Sequence, residues 1–336
     1  MTIEKPKEPD MSNEIPTPDP AAESKVQKLS STARFTIGVS LMLLSGLGFA
    51  VQGLFVNLAG DLPSEQKTFF RYVVVFIVSF FYLWRTRSRN RRNKIQNTKL
   101  IKNKGDLGWL IVRSTLGTLG VLANFYVLDL IPIGNAQMLN KLSPFFTIIF
   151  SSIFLNERVN KVQAAGIVTA FIGVVVLLDP DASGISTEYL FPIIIGILGG
   201  LAAGAAYTTI RHLGARGMEG SFIVFFFAGF GMLSLVPLVI ANYVPMTGMQ
   251  WLYMLLLGLG AVAGQYGITY AYHFAEPRRI SIFDYSAVVF AMILGALFLD
   301  QIPDRASIIG SIIIFLAFLM MFVYNRFESR RAARAK

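Results

Sequence analysis

Long apolar blocks, separated by short polar loops, fill the sequence almost without interruption from Phe35 to Tyr324. A helix needs about 18 or more apolar residues to cross the hydrocarbon core of a bilayer, and these blocks reach that length. Hydrophobic residues make up 54% of the chain and charged residues 15%, whereas an average soluble domain is roughly 45–50% apolar and about 25% charged. The sequence therefore predicts an integral membrane protein surrounded by a lipid bilayer.

We predict an all-α integral membrane fold with ten transmembrane helices. Trp84, Trp109 and Trp251 lie at predicted span ends, where interfacial aromatic side chains are enriched. Residues 1–34 contain five prolines among charged and Ser residues, a composition that predicts a disordered tail. The predicted spans cover residues 35–58, 66–84, 108–128, 132–155, 159–178, 189–210, 221–243, 250–273, 279–299 and 306–324.

Lys and Arg residues are distributed asymmetrically between the two sets of loops. The loop 85–107 alone carries nine Lys and Arg residues. Together with the other loops on the same side and the C-terminal tail, the count is 20, whereas the loops on the opposite side carry two. The positive-inside rule therefore predicts that both termini are cytoplasmic. A net charge of +10 can also indicate nucleic-acid binding. Because the basic residues lie in short loops between apolar blocks, we expect no nucleic-acid partner.

The chain contains an internal duplication. A shift of 144 residues superposes Leu155-Asn156-Glu157 on Leu299-Asp300-Gln301 without a gap. We therefore predict two five-helix repeats, at residues 35–178 and 189–324, followed by a basic cytoplasmic tail at 325–336. Two halves with five spans each must have opposite orientations, which is the inverted-repeat plan of many secondary transporters.

Apart from residues within about three positions of a span end, four charged side chains fall inside the predicted spans, namely those of Arg71, Arg113, Lys141 and Asp284. A charge in hydrocarbon costs at least about 2.5–3.5 kcal/mol, so each of them is a functional candidate that should have a partner. Arg71 and Arg113 lie near span ends, where their side chains could instead extend to the headgroups. Lys141 lies close to the predicted midplane, where this is difficult.

The fourth and ninth spans carry matching polar stripes. Stripes that face each other across a pseudo-two-fold axis indicate a binding cavity between the repeats; the alternative is that they only hold two helices together. We favour the cavity, because a Lys and an Asp cost more than helix association requires. The two charges could then approach and stabilise each other. The stripe residues, matched by the 144-residue shift, are Gln137, Asn140 and Lys141 in span four and Ser281, Asp284 and Tyr285 in span nine.

Enzyme signatures are missing from the sequence. It has no zinc-protease, serine-hydrolase or Walker A motif. An intramembrane enzyme would need a second catalytic group within about 3 Å of Asp284. The absence of Cys and the presence of only two His leave little from which to build a metal site. We therefore expect no catalytic activity, no cofactor and no metal.

Several segments, in this order, resemble the EamA-type transporters of the drug/metabolite transporter superfamily. Phe69-Phe70-Arg71-Tyr72 resembles the Arg-aromatic element of helix two in that family. In the second copy, Gln301 stands where an acidic residue is common. The other segments are residues 113–120 (RSTLGTLG), 123–126 (ANFY), 130–132 (LIP), Ser143-Pro144 and 154–158 (FLNER).

The resemblance covers about residues 35–324 and implies a ten-helix inverted-repeat carrier of small metabolites in the cytoplasmic membrane, which works by alternating access. We therefore predict a secondary carrier, an exporter rather than an importer, of a small polar or amphipathic metabolite, with a proton or a counter-substrate as possible coupling partner. The competing interpretation is a membrane sensor or scaffold with the same fold and a tightly packed centre. The pattern does not indicate an oligomeric state. The predicted substrate-binding residues are Asn140, Lys141, Asp284 and Tyr285, with Arg71, Asn124, Gln137, Tyr207 and Gln265 as weaker candidates.

Overall fold

The computed structural model describes residues 31–92, 100–101, 104–155, 159–177, 187–216, 218–274 and 280–334. The helices of the first half are α1 (Ser31–Leu58), α2 (Ser64–Arg92), α3 (Lys104–Leu128), α4 (Ile133–Asn140), α5 (Ser143–Leu155) and α6 (Lys161–Leu177). Those of the second half are α7 (Thr187–Ala215), α8 (Gly220–Ala241), α9 (Gly248–Phe274), α10 (Ser286–Phe298) and α11 (Arg305–Arg334), with a 3₁₀ turn (Ser281–Tyr285) before α10. No β-strand occurs in these ranges.

Seven of the helices are long and apolar enough to cross a membrane, namely α1, α2, α3, α7, α8, α9 and α11. They coincide with seven of the ten predicted spans. The remaining three predicted spans correspond to shorter elements: α4 with α5, α6, and the 3₁₀ turn with α10. The disordered tail predicted for residues 1–34 lies outside the described residues, except for its last four, which form the start of α1.

The fourth predicted span is divided into two helices. α4 ends at Asn140 because Pro144, at the start of α5, has no N–H group to donate to the Asn140 carbonyl, and its ring would clash with that carbonyl. The Phe145 N–H donates to the carbonyl of Leu142 at 3.0 Å, not to that of Lys141. The Lys141 carbonyl therefore lacks a helical donor. The structure differs here from the uninterrupted helix that we predicted.

The ninth predicted span is irregular at the matching place. Residues Ser281–Tyr285 form the 3₁₀ turn, and the regular helix begins only at Ser286. Both polar stripes thus lie beside helix ends and not in the middle of helices. Discontinuous helices of this kind form the binding sites of many transporters built from two repeats.

Each half of the chain packs mainly against the other half. α1 packs against α9 and α10, α7 packs against α3, α4 and α5, α2 packs against α8, and α6 packs against α11. In the two repeats, α1 corresponds to α7, α3 to α9, and α4 with α5 to the 3₁₀ turn with α10. The contacts of α1 therefore correspond to those of α7. The pairs α2–α8 and α6–α11 each join two corresponding helices. The packing therefore follows the internal duplication of the sequence.

Glycines bring several of these helix pairs into backbone contact. A Cβ atom added to Gly48 of α1 would lie 2.6 Å from the amide nitrogen of Gly264 in α9. One added to Gly204 of α7 would lie 2.6 Å from the Cβ atom of Phe146 in α5. Such distances are too short for two carbon or nitrogen atoms, so only glycine allows the helices to approach this closely.

Candidate functional site

Lys141 and Asp284 form an ion pair at the junction of the two halves. Lys141 Nζ donates to Asp284 Oδ2 at 2.6 Å, and only 9% of the Lys141 side chain and 18% of the Asp284 side chain are exposed. Lys141 directly follows α4, and Asp284 belongs to the 3₁₀ turn. Both charges therefore come from the irregular segments, and the predicted approach of these two side chains is confirmed.

Tyr285 connects this ion pair to the break between α4 and α5. Its hydroxyl donates to the carbonyl oxygen of Lys141 at 3.2 Å, which is the carbonyl that Pro144 and the following turn leave without a helical donor. The Tyr285 ring packs on Phe315 and Phe318 of α11, with centroid distances of 5.6 and 4.6 Å. Tyr285 thus holds the end of α4 against the second half of the chain.

The carboxylate of Asp284 is only partly satisfied. Its Oδ1 atom is buried and has no hydrogen-bond partner in the described part of the chain. A buried polar atom without a partner costs about 1–3 kcal/mol, and more when it is charged. Asp284 Oδ1 is therefore available to accept a proton or a hydrogen bond from a ligand.

Arg71 is buried in the interior, with 2% of its surface exposed. Its Nε donates to Oε1 of Gln52 in α1 at 3.0 Å, and its guanidinium carbon lies 5.1 Å from the centre of the Tyr72 ring. Its Nη1 atom is buried and has no partner in the described ranges. Because the side chain turns toward α1, it does not extend to the headgroups.

Arg113 is likewise buried, with 5% of its surface exposed. Its guanidinium carbon lies 3.6 Å from the centre of the Phe227 ring in α8, a cation–π contact worth about 2 kcal/mol or more when desolvated. The Nε and Nη1 atoms are buried and have no hydrogen-bond partner among the described residues. The alternative in which Arg113 reaches the headgroups is therefore wrong.

Tyr207 interacts with the charges of both groups, the arginines and the ion pair. Its hydroxyl interacts electrostatically with Asp284, Arg113 and Arg71, all of which lie in the interior. The residue is nevertheless 47% exposed. Tyr207 therefore combines an exposed surface with a hydroxyl that interacts with interior charges.

The structure does not bring every predicted residue into this group. Gln137 is buried and donates from Nε2 to the carbonyl of Phe49 in α1 at 3.3 Å, so it joins α4 to α1. Asn124 is buried, and Asn140 and Gln265 are half-buried. No side-chain contact in the described part of the chain places these three against the ion pair.

Two aromatic residues of the site were missed at the level of sequence. The rings of Tyr72 and Phe227 meet edge to face at a centroid distance of 5.1 Å, and each ring has one of the two arginines beside it. Tyr72 could have been found, since it follows Arg71 in the Arg-aromatic element. Nothing distinguishes Phe227 from the Phe225 and Phe226 that precede it.

The chemistry of the group is that of ion pairing and hydrogen bonding. Among the described residues, no set of three or more His, Asp or Glu could hold a metal ion. Asp284 pairs with Lys141, and the Tyr207 hydroxyl interacts electrostatically with Asp284, Arg113 and Arg71. Gln301, which stands in place of an acid in the second copy, accepts a hydrogen bond at Oε1 from the Ile133 N–H at 2.9 Å, and so caps α4.

The sequence profile of the EamA-like transporter family matches residues 36–179 and, a second time, residues 190–323. The chain belongs to the EamA-like transporter family. The resemblance seen in residues 113–126 and in the Arg-aromatic element is thereby confirmed. The long apolar helices and this family membership together make this EamA protein a multi-pass membrane protein.

Relatives of this EamA protein are named as transporters or solute carriers. The pseudopaline exporter CntI of Pseudomonas aeruginosa is 27% identical over 282 residues, which cover 83% of this chain and 94% of the relative. The riboflavin transporter of Vibrio cholerae is 24% identical over 304 residues, covering 88% and 95%. Human solute carrier family 35 member G1 is 25% identical over 291 residues, covering 82% and 76%.

The fold is shared with proteins of known structure. One crystal structure superposes with a TM-score of 0.58 at 19% sequence identity, and the match covers 88% of this chain and 99% of the other. An identity this low shows a common fold and carries no information about the ligand.

Proposed function

We propose that this EamA protein is a secondary carrier that exports a small polar or amphipathic metabolite by alternating access. In this proposal the chain crosses the membrane ten times, in two inverted five-helix repeats at residues 35–178 and 189–324, with both termini in the cytoplasm. The observation that carries the proposal is the Lys141–Asp284 ion pair, which joins the two halves at their helix breaks. A contact between halves that move relative to each other has to form and break during transport.

The free oxygen of Asp284 allows this residue to exchange Lys141 for another partner. Asp284 Oδ1 is free to accept, so a proton or a donor group of a substrate can bind there before the contact with Lys141 is lost. A ligand that binds one conformation better than another shifts the equilibrium toward it. Binding at Asp284 or Lys141 would therefore favour a state in which the two halves are apart at this point.

The accessible surface of Tyr207 favours a carrier over a scaffold. A sensor or scaffold with the same fold would gain stability from a tightly packed centre, whereas Tyr207 is 47% exposed beside interior charges. The names of the relatives support the direction and the substrate class. One relative is named as an exporter of pseudopaline, and another is named as a transporter of riboflavin.

The proposal is tested by comparing the small molecules in the culture medium of cells that express the wild type, Lys141→Ala or Asp284→Asn. Untargeted mass spectrometry of the medium detects an exported compound whatever its chemical identity. We expect the medium of cells that express the wild type to contain more of at least one metabolite than the medium of cells without the protein. Both variants should lose this enrichment when their membrane levels equal that of the wild type.

The matched control is Lys161→Ala, which removes an exposed Lys at the start of α6 and should leave the enrichment unchanged. If the medium of cells that express the wild type is the same as that of cells without the protein, the carrier function is contradicted. If a metabolite is enriched equally by the wild type, Lys141→Ala and Asp284→Asn, the ion pair only holds two helices together.

A further inference from the structure

Arg71 and Arg113 carry positive charges for which the described chain supplies no counter-charge. Among the described residues, four Lys and Arg residues are buried, namely Lys67, Arg71, Arg113 and Lys141. Both lysines form ion pairs with Asp side chains at 2.6 Å. Neither arginine has a carboxylate within ion-pair distance among the described residues. The two arginines are therefore different in kind from the other buried cations.

Much of the hydrogen-bonding capacity of these arginines is also unused. Arg71 makes one side-chain hydrogen bond, to Gln52, and its Nη1 has no partner in the described ranges, while Arg113 Nε and Nη1 have none there either. An unpaired buried charge is strongly destabilising. A fold that retains two of them at one place indicates that a group outside the described residues neutralises them.

The two guanidinium groups belong to a single place in the fold. Arg71 lies beside the ring of Tyr72, Tyr72 packs on Phe227, and Phe227 packs on Arg113, with centroid distances of 5.1, 5.1 and 3.6 Å. The hydroxyl of Tyr72 is 3.4 Å from that of Thr118 in α3, which fixes the ring between α2 and α3. Both arginines interact electrostatically with each other and with the Tyr207 hydroxyl.

We propose that Arg71 and Arg113 together bind the acidic groups of the transported molecule, so that the substrate class is an organic carboxylate anion. This inference rests on the proposed carrier function and names its substrate class. The guanidinium group offers five N–H donors in a planar fork that matches a carboxylate, and its charge does not titrate in the physiological range. The Tyr207 hydroxyl, which interacts electrostatically with both arginines and with Asp284, is a further donor to such an anion.

The charges of the site support this assignment. Arg71, Arg113 and Lys141 carry three positive charges and Asp284 carries one negative charge, which leaves a net excess of two positive charges. An anion that enters the cavity removes this excess, whereas a cation would add to it. Neutralisation by the substrate also gives a physical reason why the empty protein tolerates the unpaired arginines: they lower stability in return for binding.

The test uses the full-length protein, purified in detergent, and four probes: citrate, succinate, glutamate and nitrilotriacetate. The matched neutral probes are trimethyl citrate and dimethyl succinate. We expect at least one of the four anions to raise the melting temperature of the wild type, since a ligand that binds only the native state stabilises it. The esters should give no shift.

Arg71→Gln and Arg113→Gln should weaken binding of that anion at least tenfold. In the absence of any probe, each substitution removes a cation–π contact as well as an unpaired charge, so the deciding measurement is the shift that the anion produces in each variant. A purely structural role of the arginines predicts an altered melting temperature without probe and an unchanged shift with it. Arg305→Gln, which removes an exposed charge at the start of α11, is the control and should leave anion binding unchanged.

Three results would overturn the inference: no shift with any of the four anions, an equal shift with anion and ester, or an unchanged shift in both arginine variants. Its failure can be told apart from failure of the carrier function. If the metabolite whose export requires Lys141 is uncharged, the carrier function stands and the anion inference falls. If an anion binds through the arginines but no metabolite is enriched relative to cells without the protein, the carrier function falls and the anion site stands.

Discussion

In the described part of the chain, two buried lysines each pair with an Asp at the same 2.6 Å separation between nitrogen and oxygen, and the surroundings of the two pairs differ. In the pair between α2 and the loop after α3, Lys67 Nζ donates to both Asp129 Oδ1 and the Gly60 carbonyl, at 2.6 and 2.8 Å. Ser64 Oγ donates to the second oxygen, Asp129 Oδ2, at 2.9 Å. Each carboxylate oxygen of Asp129 therefore has a partner.

The central pair has fewer contacts. Lys141 Nζ donates to Asp284 Oδ2, while Asp284 Oδ1 has no partner among the described residues. A satisfied polar network makes a structure rigid, whereas a partly satisfied one costs free energy. The comparison teaches that distance alone does not give the role of an ion pair. The pair at Asp129 fits a permanent contact, and the pair at Asp284 fits an exchangeable one.

The largest expected difference is in stability. Lys67→Ala removes a fully buried ammonium group that has two partners, the Asp129 carboxylate and the Gly60 carbonyl, which should lower the free energy of unfolding by about 3–5 kcal/mol. Lys141→Ala should cost clearly less, because Lys141 Nζ has one partner, Asp284 Oδ2, in the described part of the chain. Denaturant unfolding of both variants in detergent measures the difference.

A double variant refines this comparison. Replacement of both partners of a buried ion pair by apolar residues is often neutral, so Lys67→Met combined with Asp129→Leu should recover most of the stability that Lys67→Ala loses. If Lys67→Ala and Lys141→Ala lower the free energy of unfolding equally, the distinction between a permanent and an exchangeable pair is wrong.

A smaller effect is expected in the pH dependence of stability. Burial raises the pKa of the Asp129 carboxyl, and the Lys67 charge and the hydrogen bonds from Lys67 and Ser64 offset only part of this. An acid with a raised folded pKa keeps its proton where the unfolded chain has already lost it. Its contribution to stability therefore falls as the pH rises from the unfolded value of about 3.9 through the folded pKa.

Melting temperatures of the wild type and Asp129→Asn, recorded side by side from acidic to neutral pH, isolate this contribution. The wild type should lose stability relative to Asp129→Asn as the pH rises through that window. The opposite trend would mean that Lys67 and the hydrogen bonds outweigh burial, and that the pKa of Asp129 is lowered.

The smallest effect concerns a single hydroxyl. Ser64→Ala removes one hydrogen bond to Asp129 and should lower the free energy of unfolding by about 0.5–1.5 kcal/mol. Ser311→Ala is the control, because its buried hydroxyl has no partner among the described residues, so its removal should cost nothing. Equal losses in the two variants would show that Ser64 adds nothing to the pair.

The sequence predicted the central pair but not the outer one, for a physical reason. Lys141 and Asp284 lie in apolar spans, where a charge is conspicuous, and the internal duplication aligns their helices. Lys67 and Asp129 lie close to predicted span ends, where charges are ordinary, so their pairing depends on how α2 and α3 pack. Sequence periodicity does not supply that information.

The division of the fourth span shows a second limit. Pro144 was visible in the sequence, but a proline in a membrane helix is compatible with a kink as well as with a break. The release of the Lys141 carbonyl follows only from the local turn, and the hydroxyl that bonds to it belongs to Tyr285, 144 residues away. The alignment of the duplication placed these two residues at equivalent positions, yet it did not indicate which atoms meet.

The interleaved packing of the halves has a consequence for biogenesis. α1 and α3 find their principal neighbours in α9, α10 and α7, which the ribosome makes later. Lys141 therefore lacks its ion-pair partner until Asp284 has been synthesised and inserted. In this sense the chain resembles a dimer whose two subunits are joined by a peptide bond. A nascent chain truncated after α6 would lack the counter-charge of Lys141, and an unpaired ammonium group inside a membrane is costly.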